Sequence, residues 1–241
     1  MTNTIYVTLA RQMLLRNEMD VVAQNIANAS TTAYKGERIL FEEHLYQSAD
    51  GSSVSYVVEA GTKRDHAAGR IERTGNDLDV AVNGDGYFVV DGKNGPAYTR
   101  QGHFQLDGKG TLVTSSGAPV LDANSRPIVI GRASHVTIGR DGTIATDRGP
   151  LGRIQLVEIE NEDQLQRLGE GLFAYGGEPP KPMQPEEVDL QQGALEASNV
   201  SPIVEMTRMI ELVRSYQSAQ RMMDTDNELL RKSIQEMTAV K

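Results

Sequence analysis

Cysteine and tryptophan are both missing from this 241-residue chain. Without thiols it can form no disulfide and no thiolate metal site, which leaves the compartment open. Aromatics are scarce too. Four phenylalanines, and an aromatic share of 5% against 39% hydrophobic residues, are lean for one large core and suit an extended molecule. No stretch approaches the ~20 apolar residues of a membrane span, so direct membrane insertion is not expected. The segment from Met1 to Leu15 lacks the basic start and unbroken apolar run of a secretory signal. If the chain leaves the cytoplasm, the expected route needs no cleaved leader.

Glycine is absent in a more telling way: all 23 lie between Gly36 and Gly193, leaving both ends free of them. Proline follows the same division except for Pro202, which sits after Ser201 as an N1 residue follows a helix N-cap. Both ends also carry stripes at three-four spacing. At the C-terminal end these are Met206, Met209, Val213, Tyr216, Gln220, Met223, Asn227, Leu230, Ile234 and Met237. At the N-terminal end they are Ile5, Thr8, Gln12, Leu15, Met19, Val22, Ile26 and Ala29, with Leu9, Met13 and Leu14 widening the apolar face. Two amphipathic helices with narrow seams follow. Ordering a residue costs roughly 1–2 kcal/mol of backbone entropy, and an isolated stripe remains exposed, so each helix needs a partner. The other terminus or another copy of the chain would serve; the alternative is that both lie on the core of the chain's own middle. In dilute monomer the ends are expected to be largely mobile.

Charge divides the same way. The first 29 residues and residues 201–241 are each electrically balanced, and the middle holds 16 basic and 25 acidic groups, hence the whole net charge of −9. Balanced ends can pack densely together. An acidic middle discourages nucleic acid or anionic lipid as a partner.

The residues divide into five stretches. Residues 1–35 form the N-terminal helix and its exit turn, and 36–70 a linker or extended segment, with Ser48 to Ser53 as its flexible part. Residues 71–175 read as a β-rich body. Within it Asp79-Val80-Ala81-Val82 and Tyr87-Phe88-Val89-Val90 flank an Asn83-Gly84-Asp85-Gly86 turn and predict a hairpin. Further strands are predicted at 111–113, 128–130, 136–138, 143–145 and 153–159, and a short helix at 161–168. Residues 176–200 form a Pro/Gly-rich linker and return segment, and 201–241 the second helix. The fold class is α+β: two terminal helices forming a coiled-coil-like pair that brackets an all-β irregular sandwich or barrel.

Chemistry is hard to find. His44, His66, His103 and His135 show no metal-binding spacing. Gly84-Asp85-Gly86 and Gly108-Lys109-Gly110 lack the third glycine of a dinucleotide loop, and turns explain them. Thr32 and Lys35 have the separation of a hydroxyl–lysine dyad with nothing to complete it, and Asp77, Asp79 and Asp85 lack EF-hand spacing. No catalytic, cofactor-binding or metal residue is expected, and no cofactor.

Two segments carry a resemblance. The run from Asn25 through Asn28, Thr31 and Tyr34 to Lys35 resembles the N-terminal signature of bacterial flagellar rod and hook proteins. Ala33 stands where that family usually has glycine, so the turn is expected to form without a left-handed residue there. Gly193, Leu195, Glu196, Ser198, Asn199 and Val200, followed by Met206, Met209, Ile210 and Arg214-Ser215-Tyr216, resemble the C-terminal signature. Leu78 to Phe88 and Tyr98 to Phe104 resemble the start of a rod-protein body.

The resemblance implies a structural rod subunit, more similar to a proximal-rod than a distal-rod member, and not an enzyme. Such proteins pack their terminal helices into the inner layer of a hollow tube. They leave the cell through the flagellar type III export apparatus and transmit torque across the periplasm. Partners would be proximal and distal rod proteins, copies of the chain and the export apparatus. The implied assembly interface is Ile5, Leu9, Leu15, Met19, Val22, Ile26, Met206, Met209, Val213, Tyr216, Met223, Leu230, Ile234 and Met237. Ala219, Met222 and Met223 would interdigitate with neighbours. A non-flagellar fibre or tail adhesin, which would not need the export apparatus, and a hydrolase, which would need polar groups converging in a pocket, are the other readings.

Overall fold

The computed structural model describes residues 2–47, 53–131 and 135–239, which divide into two compact units. The first unit contains helix α1 (Thr2–Ala27), strands β1 (Glu37–Gln47) and β2 (Ser53–Arg64), and helix α2 (Pro202–Ala239). α2 starts as the Ser201-Pro202 pair predicts: the Glu205 amide donates to the Ser201 carbonyl at 3.1 Å, and Glu205 places an acid in the first turn.

The helices pair with each other in opposite directions, because Gln12 meets Gln220, Glu18 meets Arg208 and Asn25 meets Glu205. Leu15, Val22 and Leu212 are buried between them, with Met19, Ile26, Met209 and Tyr216 packed alongside. The segment 36–70, read as a linker or extended segment, carries an antiparallel hairpin. β1 pairs with β2 from Glu37↔Arg64 to Gln47↔Ser53, with a register shift between Leu40 and Phe41. The Ser48–Ser53 stretch read as flexible falls outside the described residues but for Ser53, which starts β2.

The second unit comprises residues 30–35 and 66–199. After β3 (Ile71–Arg73) and β4 (Val80–Val82) come β5 (Tyr87–Gly92) and β6 (Gly95–Thr99), which form a hairpin. These two are the middle of a six-stranded antiparallel sheet. Outside β6 lie the strands Leu172–Tyr175 and Leu165–Gly169, and outside β5 the strands Leu156–Glu158 and Lys181–Pro182. Alternation along β5 fills a core on each face of the sheet. Phe88 and Val90 enter the larger one with Val80, Phe104, Leu112, Ile144, Ile154 and Leu190. Tyr87 and Val89 enter a smaller one with Tyr98, Leu121, Leu165 and Phe173. The Phe88 and Phe104 rings meet edge to face at 5.1 Å, so two of only four phenylalanines anchor the larger core.

Several strand expectations are corrected. β4 does not form a hairpin with β5: it pairs with Leu190–Gln192, and both edges of β5 are taken by β6 and Leu156–Glu158. Asn83 to Gly86 therefore carries the chain from one sheet to another. Ile128 to Ile130 is no strand, making only a bridge from Val129 to Thr111. The 153–159 run splits into Gly149–Arg153 and Leu156–Glu158. In place of a helix at 161–168 there is one 3-10 turn, Glu162–Gln164, and then a strand. Part of the proline-rich exit, Lys181–Pro182, closes the sheet edge. Proline suits it, having no amide to leave unpaired on the open side.

Candidate functional site

In the helix unit the predicted interface residues separate into two groups. Leu15 and Val22 are buried, and Met19, Ile26, Met209 and Tyr216 pack against them, so these six face the chain's own helix partner. Leu9, Met206 and Val213 are exposed on the outside of the pair, and Met223 is half-buried. Ile5, Leu230, Ile234 and Met237 lie on the helices, but their side chains fall outside the described residues. Ala219 is buried and Met222 is exposed.

The pair retains a polar frame as well. Glu18 Oε1 accepts from Arg208 at 2.7 Å, and Gln12 Nε2 donates to Gln220 at 2.8 Å. Asn25 is 2% exposed and pairs with the backbone of Glu37 in both directions, Nδ2 to the carbonyl at 2.9 Å and Oδ1 from the amide at 3.0 Å. The first asparagine of the signature thereby fastens the start of β1 to α1. Asn28, by contrast, turns back to the Gln24 carbonyl of its own helix.

What the helix pair leaves outside is apolar. Met13 on α1 and Ile203, Met206, Ile210 and Val213 on α2 are exposed, with Ile203 at 78%. α2 presents these at spacings of three, four and three, a continuous exposed stripe that borders the seam face carrying Met209 and Leu212.

In the body unit the rest of the signature meets the C-terminal motif. Ala33 adopts a left-handed φ of 53°, contrary to expectation. Its amide donates to the Glu196 carbonyl at 2.8 Å, and that anchor holds an alanine in a region that costs an L-residue about 1–2 kcal/mol. Lys35 Nζ lies 2.5 Å from Glu196 Oε1 and donates to the Ala67 carbonyl at 2.9 Å. Arg100 Nη1 reaches Glu196 Oε2 at 3.3 Å and lies over the Tyr87 ring. Lys35, Arg100 and Glu196 are exposed by 4, 5 and 1%, so one carboxylate holds two cations out of water. The Gly69 amide gives Glu196 Oε1 a further hydrogen bond at 2.9 Å, and a Cβ there would fall 1.9 Å from the Ala197 carbonyl oxygen.

Around this cluster the Asn199 amide donates to the Tyr34 carbonyl, and Asn199 Nδ2 to the Ala67 carbonyl at 3.0 Å. The Arg167 guanidinium lies over the Tyr34 ring at 4.9 Å. Leu195 pairs with Glu72 in a ladder of two short strands, β3 and Ala194–Glu196. Gly193 takes a φ of 73° and donates to the Asp79 carbonyl. Thr31 accepts from the Tyr34 amide, and Ser198 is half-buried; Val200, at the start of the helix unit's last segment, is half-buried too. The two signatures are thus two halves of one structure, which closes the chain's entry to and exit from the body. Arg100 belongs to the Tyr98–Phe104 run that carries the resemblance, but its contact with a residue 96 positions away has no signal in local spacing.

Among the described residues no group of His, Asp and Glu side chains could hold a metal ion, and no helix is long and apolar enough to cross a membrane. His66 lies between Glu162 and Asp163, and His103 Nδ1 lies 2.6 Å from Asp79.

The chain is similar in sequence to known proteins. Residues 5–35 match the family described as flagella basal body rod protein. Residues 81–146 match the flagellar hook protein FlgE/F/G D1 domain, and 191–236 the flagellar basal body rod FlgEFG protein C-terminal family. The chain is 40% identical to the flagellar basal-body rod protein FlgF of Caulobacter vibrioides, over 98% of each chain. It is 33% identical to FlgF of Rhizobium meliloti over 98% of each, and 32% identical to FlgG of Bacillus subtilis over 97% of this chain and 98% of that one.

Proposed function

The chain belongs to the flagellar basal-body rod protein family and is a structural subunit of the rod, and from that premise we infer that its outward apolar stripe is the surface by which subunits pack. One observation carries this reading. The helices have already satisfied their own seam, yet Leu9, Met13, Ile203, Met206, Ile210 and Val213 still face water. Each gains roughly 1.5–3 kcal/mol when fully buried, so a contact covering several supports stable association.

Torque is then carried by densely packed helix pairs. No cofactor takes part, and the role needs no catalytic group. The subunit reaches its place through the flagellar type III export apparatus. It occupies the proximal rod, a position supported by the 40% identity to the FlgF of Caulobacter vibrioides against 32% to the FlgG of Bacillus subtilis. A distal-rod position is the competing assignment.

Chromosomal deletion tests both parts. The expected result is loss of swimming, with basal bodies that stop at an incomplete proximal rod. Full motility would overturn the rod reading, and arrest only after a complete proximal rod would favour the distal one.

A further inference from the structure

Two arginines of the body share one cleft without an ion pair among the described residues, in a chain with nine more negative than positive groups. Arg73, at the end of β3, and Arg140, in the turn after Val136–Ile138, line one cleft of about 600 Å³. Neither guanidinium has a side-chain partner among the described residues, whereas Arg100 and Arg126 in the same unit pair with Glu196 and Asp122. One acid lines the cleft, Asp189, and its Oδ2 already accepts from Asn83 Nδ2 at 2.7 Å.

The rest of the lining is set for a polar guest. Gln192 is fixed by donating to the Asp77 and Val136 carbonyls and accepting from the Ile138 amide. Gly75 and Gly193 take φ of 76° and 73° and leave their part of the wall without side chains; a Cβ on Gly75 would meet nothing within 4 Å. Two forked guanidiniums in a cleft whose one acid is already engaged suit carboxylates, which they hold by paired hydrogen bonds.

The same body offers matching groups. A second cleft, of about 430 Å³, is lined by acids. Three of these are occupied: Glu160 by Lys181, Glu162 by Tyr87 and His66, and Asp163 by His66. Asp85 and Glu158 are exposed and accept no hydrogen bond among the described residues, although Glu158 lies across the strand pair from Lys181, whose ammonium is held by Glu160.

We propose that the Arg73–Arg140 cleft receives Asp85 and Glu158 from the body of a second copy of this chain, giving the outer layer of the rod its own charge-matched contact. This rests on the rod-subunit reading and adds a contact separate from the apolar helix stripe. Donor and acceptor are different patches, so each copy can give and take at once, as an open-ended assembly requires. Charge complementarity of this kind sets register and rejects mismatched neighbours more than it adds affinity.

The test is charge reversal and charge exchange on the chromosome. Arg73→Glu with Arg140→Glu is expected to reduce swimming at least tenfold while the purified protein keeps the parent's circular dichroism and melting midpoint, since both positions are exposed. Adding Asp85→Lys and Glu158→Lys to the same chain is expected to restore at least half of parental swimming. If reversal unfolds the protein, Arg73→Gln with Arg140→Gln replaces it, with the same loss expected. A reversal strain that swims as the parent does, beside a deletion strain that does not swim, overturns this inference alone; a deletion strain that swims overturns the rod reading. Loss without rescue by exchange overturns the second copy as the partner.

Discussion

Replacing Glu196 with glutamine is expected to destabilise the body unit by about 3–5 kcal/mol, the cost of removing one member of a buried ion pair. The reason is arithmetic of charge. Lys35 and Arg100 are both withdrawn from water and both face this one carboxylate, so the change leaves two cations without a counter-ion. The Gly69 amide loses its charged acceptor in the same step. Lys35→Met should cost clearly less, because it leaves one guanidinium facing one carboxylate. Urea unfolding followed by tyrosine fluorescence reads this directly in a chain with eight tyrosines and no tryptophan. With a slope of about 2 kcal/mol per molar, the midpoint should fall by roughly 1.5–2.5 M. A fall below ~0.5 M, or a larger effect of Lys35→Met than of Glu196→Gln, would mean the cluster is not the charge lock described.

Such a cluster was only half legible in the sequence. Lys35 and Glu196 stood out because they sit in recognisable signatures, but their contact joins residues 161 apart in the chain, and no local pattern reports it. The N-terminal stripe was legible: Thr8, Gln12, Leu15 and Val22 are buried where three-four spacing places them. The phase of α2 was harder to read. Its first turns are apolar nearly all round, with Ile203, Val204, Met206, Met209, Ile210, Leu212 and Val213 in eleven residues, so several stripes fit equally well. Packing against α1 selected Met209, Leu212, Tyr216 and Ala219 and left Met206 and Val213 outside. Ala33 was misjudged for a related reason, since a hydrogen bond to a residue far along the chain holds its backbone left-handed. Strand existence in the body was read better than strand pairing. β4 and β5 both bury valines in the same core, and alternation alone does not say that they reach it from different sheets.

The phase of α2 decides which substitution probes assembly. Met209→Asp or Tyr216→Asp would strike the chain's own seam and confuse loss of assembly with loss of the helix pair. Met206→Asp together with Ile210→Asp places two carboxylates on the outer stripe, where both residues are about half exposed in the single chain. The free subunit is therefore expected to keep its helicity and its melting midpoint. In a packed neighbour contact the same carboxylates would each carry a desolvation cost of several kcal/mol, more than the methionine or isoleucine contributes. Swimming is expected to fall to the level of the deletion strain, with the subunit still produced and no rod containing it. Normal motility would show that the stripe faces water in the rod as it does in the single chain.

Covering of that stripe on assembly is the central claim, and the absence of cysteine from the chain makes it measurable. A single Met206→Cys or Ile210→Cys provides one thiol for maleimide, which can be applied both to the free subunit and to isolated basal bodies from cells that still swim. The expected result is rapid labelling of the free subunit and strong protection in the basal body, with a control thiol at exposed Lys93 on the body reacting in both. Equal labelling of Met206→Cys and Ile210→Cys in the two states would contradict the account.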